Sequence, residues 1–106
     1  MVARIWHGTT SLQNADAYEN FLKNEFMPSI EQKKILGYRK FQLLRRQQKN
    51  QVDFITIMWF DAIDQIKAFA GANYEEAVIH PTAMALLEQH DEYAQHFELK
   101  HELIYE

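Results

Sequence analysis

The chain of 106 residues has no cysteine, three glycines and two prolines. Without cysteine it forms no disulfide, uses no thiolate nucleophile and holds no cysteine-ligated zinc or iron–sulfur cluster. It has no glycine-rich phosphate loop either, so a nucleotide cofactor bound in the usual way is not expected. No apolar run approaches the roughly 18 residues that cross a bilayer. Met1–His7 also lacks the basic stretch and long apolar run that direct secretion. The expectation is a soluble, cytoplasmic protein with no membrane partner. Positive charge is in short supply as well: 11 Lys and Arg stand against 15 Asp and Glu, a net charge of −4. Phosphate backbones would on average be repelled, which argues against nucleic acid as a partner.

Apolar and aromatic residues are plentiful, at 47% and 13%, the composition of a folded chain rather than a disordered one. The length fits one domain over residues 1–106, with no internal repeat, low-complexity segment or linker. A chain of this size buries roughly two-thirds of its unfolded surface, so a subunit interface would add usefully to a modest stability.

The hydrophobic rhythm changes period along the chain. Val2–Thr10 alternates as a strand does. Ala15, Tyr18, Phe21, Leu22, Phe26 and Ile30 then recur at helical spacing, with Asn14 as cap and Pro28 as a predicted kink or interruption. Gly37 is the expected stop. Tyr38–Gln47 and Val52–Phe60 alternate again around the polar turn Gln48–Gln51, a hairpin. Asp61 is placed to cap a second helix that Gly71 ends, and Pro81 suits the first turn of a short helix running to about Gln89. A last strand is expected from about Tyr93 to Tyr105. The order β-α-β-β-α-β is the split-βαβ, ferredoxin-like α+β plan.

That plan covers one sheet face with helices and leaves the other open. Phe41, Leu43, Ile55, Ile57, Phe97, Leu99 and Ile5 form the more apolar sets and are expected under the helices. Arg4, Trp6, Gln42, Leu44, Phe54, Thr56, Met58, His96 and Glu98 then fall on the open face. Trp6, Phe54 and Met58 exposed together would be unusually sticky for a monomer, so that face points to a homodimer.

Five segments carry a family resemblance: Met1–Gly8, Gly37-Tyr38-Arg39 leading to Leu43-Leu44-Arg45-Arg46, Phe54–Trp59, Ile66–Gly71 and His96–Leu99. Together they resemble the antibiotic-biosynthesis-monooxygenase-like proteins across nearly the whole chain. The resemblance implies a dimeric α+β barrel, two ferredoxin-like subunits with joined sheets. The superfamily so implied includes cofactor-independent oxygenases of aromatic polyketides and quinols, haem-degrading monooxygenases and proteins without assigned activity, so fold does not fix function.

Topology brings the end of the first strand, the start of the last and the end of the second helix to one end of the sheet. His7 and His80 are therefore expected to approach each other as catalytic residues. His96 lies nearby on the opposite face. Tyr18, Phe26 and Tyr74 are candidates to wall a cleft for a small apolar or aromatic ligand, with Trp59 as a further substrate-binding candidate. Imidazole suits proton transfer at neutral pH, and a deprotonated phenol or quinol can react with oxygen directly, needing no metal or flavin cofactor. The bland alternatives are a satisfied strand-end His7, a surface His80 and tryptophans that serve only core or interface.

A non-catalytic barrel that binds a small ligand is the competing expectation. Haem is a lesser one: the resemblance implies a histidine after the second helix as iron ligand and a polar residue of the first strand facing the haem. His80 and His7 stand roughly there, with Phe69 as the helix aromatic, although Pro81 directly after His80 departs from that pattern. His80, His90, His96 and His101 show no zinc-site spacing, so no metal is expected. Glu75-Glu76 and His90-Asp91-Glu92 read as solvated charge, and Arg45-Arg46 as a hairpin tip that keeps an edge soluble.

Overall fold

The computed structural model describes residues Met1–Glu106, and its centre is one antiparallel strand pair. β1 (Val2–Thr10) and β3 (Val52–Phe60) pair without a break from Val2↔Phe60 to Thr10↔Val52. Neither strand contains proline, and β-branched and aromatic residues dominate both, so the ladder is complete and well packed. β2 (Tyr38–Gln47) pairs with the far edge of β3, slipping once between Tyr38 and Lys40. On the free edge of β1 the chain returns in two pieces. β4 (Leu87–His90) lies opposite Gly8–Thr10, and β5 (Gln95–Glu98) opposite Val2–Ile5. Between them the Asp91 amide still donates to the His7 carbonyl at 2.9 Å, so the two are halves of one returning segment. The path β2-β3-β1-β4 completes the ferredoxin-like α+β fold expected from the sequence.

One face of this sheet carries every helix: α1 (Ala15–Phe21), a π-helical turn (Leu22–Phe26), α2 (Met27–Gln32), α3 (Ile63–Ala70) and α4 (Pro81–Leu86). The interruption predicted at Pro28 takes the form of that widened turn. The Met27 amide donates to the Leu22 carbonyl, five residues back, just before the residue that has no amide hydrogen to give. The helix ends at Gln32, through a turn in which Lys34 adopts φ 50°. Gly37, expected as the stop, instead opens β2 at φ 85°, and a Cβ there would sit 2.6 Å from the Gln65 side chain of α3. Gly71 caps α3 as expected, at φ 88°.

Several expectations need correction. Asp61 does not cap α3: the cap position is Ala62, and both Asp61 oxygens are taken by Arg39, at 2.9 and 2.7 Å. Asn14 does occupy the cap position of α1, but its side-chain amide reaches across to the Leu86 carbonyl instead. The final strand starts at Leu87, not Tyr93, because Leu87 is already extended and packs on the core beneath α1. Lys100–Glu106 forms no regular element and is exposed.

The largest correction concerns the two faces. Val2, Arg4 and Trp6 of β1 register with Phe60, Met58 and Thr56 of β3, and this set lies beneath the helices. Phe54, Thr56 and Met58, expected on the open face, are buried there. Phe41 and Leu43 do pack under the helices as expected, since the slip near Arg39 brings them opposite Met58 and Thr56. Ile5, Ile55, Ile57 and Phe97 sit on the other face with Trp59 and Leu44. There Ile55, Leu44 and Phe97 are 37%, 49% and 54% exposed.

The core divides into two clusters. Tyr18, Phe21 and Leu22 pack on Val52, Phe54 and Ala83, while Ile30, Ile66 and Phe69 pack on Val2, Met58 and Phe60. Half-buried Phe26 touches both. Phe60 is completely buried between β2 and α3, so Phe60→Ala should cost about 3–5 kcal/mol in urea unfolding. Leu36→Ala, at a residue 84% exposed, should stay within about 0.5 kcal/mol. Equal losses would contradict the face assignment.

Candidate ligand cavity

The two apolar clusters do not close on each other across the middle of the sheet. Arg4 and Thr56 stand there on adjacent strands, and neither can extend a hydrocarbon core. The gap is a narrow cleft with about 40 Å³ of free volume behind an open mouth. α1 and the π turn supply Tyr18, Phe21 and Phe26, the sheet supplies Trp6 and Met58, and α3 supplies Phe69. The widened turn belongs to this site: it sets the Phe26 ring 6.2 to 6.5 Å from the rings of Phe21, Phe41 and Phe69. Burial pushes the Tyr18 phenol well above its usual range, so it stays protonated and neutral.

Trp6 is placed by its neighbours. Its indole N–H donates to the Asp91 carbonyl at 2.8 Å, and its ring stacks on His90 with centroids 5.8 Å apart. Gly8 makes room for it, because a Cβ there would lie 2.9 Å from Leu87 and 3.3 Å from the indole.

Two basic side chains face the cavity. His80 is exposed at the mouth, 5.2 Å from the Phe21 ring between centroids. It is the N-cap of α4, and its Nδ1 accepts the Thr82 amide at 3.1 Å. Neutral imidazole has one donor and one acceptor nitrogen, so Nε2 carries the hydrogen. His80 is therefore built to donate, and taking a proton at Nδ1 would break its own cap.

Arg4 is the buried group. Its Nη1 donates to the Tyr74 carbonyl and to His96 Nε2, and its Nη2 to the Glu76 carbonyl. Guanidinium only donates, so His96 Nε2 must accept and the ring is neutral, with its hydrogen on Nδ1. Desolvation first, and the Arg4 charge second, hold the His96 pKa below its ordinary value. For Arg4, burial lowers the value to about 10, which leaves it charged at neutral pH.

The sequence-predicted residues separate. Tyr18, Phe26 and His80 line the cavity. His7 does not: it lies on the opposite sheet face, beside its register partner Ile55, and borders a polar hollow with Thr9 and Gln89. Its ring lies 3.9 Å from the Asp53 carboxylate, and its backbone amide donates to the Asp91 carboxylate at 3.2 Å. The structure thus does not bring His7 and His80 together. Trp59 is on that face too, donating to Gln42 at 2.8 Å. Tyr74 packs its ring on His96, outside the cavity wall, and contributes its carbonyl to Arg4. Sequence reasoning missed Arg4, Trp6, Met58 and Phe69 as cavity residues. Their signal was parity, since the first three share the register that carries Val2 and Phe60 inward. No three His, Cys, Asp or Glu side chains are grouped so as to hold a metal ion.

His96 gives a pH test. Its folded-state pKa lies below the model-peptide value of 6.5, so the unfolded chain binds its proton first as pH falls. Stability should drop from pH 6.5 downward to the lowered value and be flat in this term above it. In an NMR titration the His96 midpoint should fall below 6.5 and rise in Arg4→Gln. An unmoved midpoint would contradict the Arg4–His96 contact.

No protein-family model matches the chain, and no curated protein matches it in sequence. Its fold is similar to the crystal structure of a "Putative Antibiotic Biosynthesis Monooxygenase" from Bacillus cereus, with a TM-score of 0.70. The match covers 98% of this chain and 97% of that one at 8% identity, so it is a likeness of fold. It agrees with the resemblance read from the sequence and with the α+β, ferredoxin-like architecture.

Proposed function

We propose that the chain is a monooxygenase-like protein that takes a small aromatic or quinol-type metabolite into the cavity between sheet and helices. The observation that carries this reading is the cavity itself: an aromatic-lined gap with one imidazole at its mouth and one guanidinium buried in its wall. The fold shared with the Bacillus cereus protein supports it.

In this reading a ring system lies among Phe21, Phe26 and Phe69. His80 Nε2–H donates to the oxygen on which charge develops when the ligand loses a proton to water at the mouth. For an anthrone the balance is anthrone plus O2 giving anthraquinone plus H2O. Two C–H bonds break at one carbon, which gains a C=O, and O2 is the four-electron oxidant. A hydrogen-bond donor aimed at the enolate oxygen favours the electron-rich anion that reacts with oxygen.

A non-catalytic carrier is the second reading, and the Nδ1–Thr82 bond favours it. With that nitrogen engaged, His80 offers no ready proton acceptor. Haem fits less well. Iron ligation through Nε2 would need the hydrogen moved to Nδ1, where the Thr82 amide already points.

Oxygen uptake with a panel of anthrones and quinols separates the first two readings. Uptake should exceed the protein-free rate and fall at least about ten-fold in His80→Asn, which keeps a good cap but loses the imidazole donor. Ala83→Leu, which fills the cavity wall, should abolish it. Binding without uptake would support the carrier, and uptake undiminished in Ala83→Leu would place the chemistry elsewhere.

The reading includes a homodimer joined through the open sheet face. Ile5, Leu44, Ile55, Ile57, Trp59 and Phe97 share that face, and Leu103, Ile104 and Tyr105 of the terminal segment are exposed as well. A second copy would cover both surfaces at once, each subunit supplying what the other leaves bare. Light scattering should give a dimer at micromolar concentration. Trp59→Glu should produce monomers, whereas Trp6→Phe should leave the dimer intact, and the reverse would sink this interface.

A further inference from the structure

The proposed function leaves unexplained why an arginine occupies the wall of an apolar cavity. Arg4 is 4% exposed, and none of the chain's ion pairs includes it. The Phe69 ring lies 5.5 Å from its guanidinium carbon. Its partners are two carbonyls and a neutral imidazole, which orient the group without cancelling its charge. A buried charge without a counter-charge is costly and rarely kept for packing alone.

Guanidinium has five N–H groups. Two on Nη1 serve Tyr74 and His96, and one on Nη2 serves Glu76, which leaves two uncommitted. Glu75 and Glu76 are exposed, and Glu76 offers Arg4 its carbonyl instead of its carboxylate. The loop thus withholds the obvious counter-ion.

We propose that Arg4 is the receptor for a carboxylate carried by the ligand, so that the cavity selects aromatic acids over their neutral analogues. This inference rests on the cavity being the ligand site and adds the charge of what enters it. The planar guanidinium fork matches a carboxylate better than any point charge does, and the apolar walls around it strengthen the pairing. Arg4 then binds the acid group while the rings of Phe21, Phe26 and Phe69 hold the ring system. Its bonds to the Tyr74–Glu76 loop hold the receptor in place before the ligand arrives.

The test is a pair of NMR titrations with 2-naphthoate and 2-naphthamide, which share a ring system and differ in charge. The Trp6 indole N–H reports the cavity, and the Trp59 indole on the other sheet face serves as control. Naphthoate should move the Trp6 signal and bind about ten-fold or more tightly than the amide. Arg4→Gln should remove that preference, naphthoate then binding no more tightly than the amide does to the same variant. Arg4→Lys, which keeps the charge but not the fork, should retain only part of it and replaces the glutamine variant if that one unfolds. Equal affinities in the native protein would overturn the carboxylate receptor and leave an apolar site standing. A preference that survives in Arg4→Gln would overturn it as well. Failure of both probes to bind would overturn this inference together with the cavity reading.

Discussion

Every placement in the molecule depends on the unbroken pairing of β1 with β3. A slip of one residue would exchange the faces of a strand completely, because side chains alternate with a period of two. Val2↔Phe60 and Thr10↔Val52 hold the two ends of that register with side chains that must be buried. Arg4 and Thr56 travel inward with them, although neither is apolar. The buried cation is thus a consequence of strand parity, and its surroundings answer to it. Two carbonyls of the loop after α3 turn toward it, and β5 registers so that His96 lies directly across from it.

The cavity follows from the same constraint. A polar pair in the middle of the helix-covered face separates the two hydrophobic clusters, and the helices bridge the gap without filling it. Phe26 spans both clusters because the chain widens into a π turn ahead of Pro28. A regular α-helix through Leu22–Phe26 would rotate Phe26 away from its present place relative to Phe21. Packing, backbone irregularity and the buried charge therefore meet at one site.

Periodicity made the order of elements legible, because each element is long enough to show its rhythm. The faces were harder. In β3 the outward set Ile55, Ile57, Trp59 looks as apolar as the inward set Phe54, Thr56, Met58, and β-branched isoleucines suggest a core. The deciding positions are the strand ends: Val52 and Phe60 belong to the inward set, and Asp53 to the other. Topology alone points His7 and His80 toward each other, yet one residue of parity puts the sheet between them. Asp61 failed as a cap for a reason local sequence does not contain, since Arg39 is brought to it only by the pairing of β2 with β3. Arg4 as a cavity residue was legible only once parity was known.

β1 links the two surfaces that matter most. Arg4 and Trp6 point into the cavity, while Ile5 and His7, between and beside them, point to the face where a second copy is proposed to sit. Binding and assembly would then be separated by the thickness of one strand. A ligand that pulls on Arg4 acts on the same backbone that presents Ile5, and the Arg4–His96 contact extends that link to β5, whose Phe97 is exposed on the open face. A rigid, fully paired strand transmits little displacement, so the two surfaces are expected to be nearly independent in energy. What would couple them is the half-broken edge: β4 and β5 are joined through Asp91–Ala94, where the ladder lapses and the Asp91 carbonyl holds Trp6. Any communication between ligand and interface has its easiest route there, where the ladder on the edge of β1 lapses.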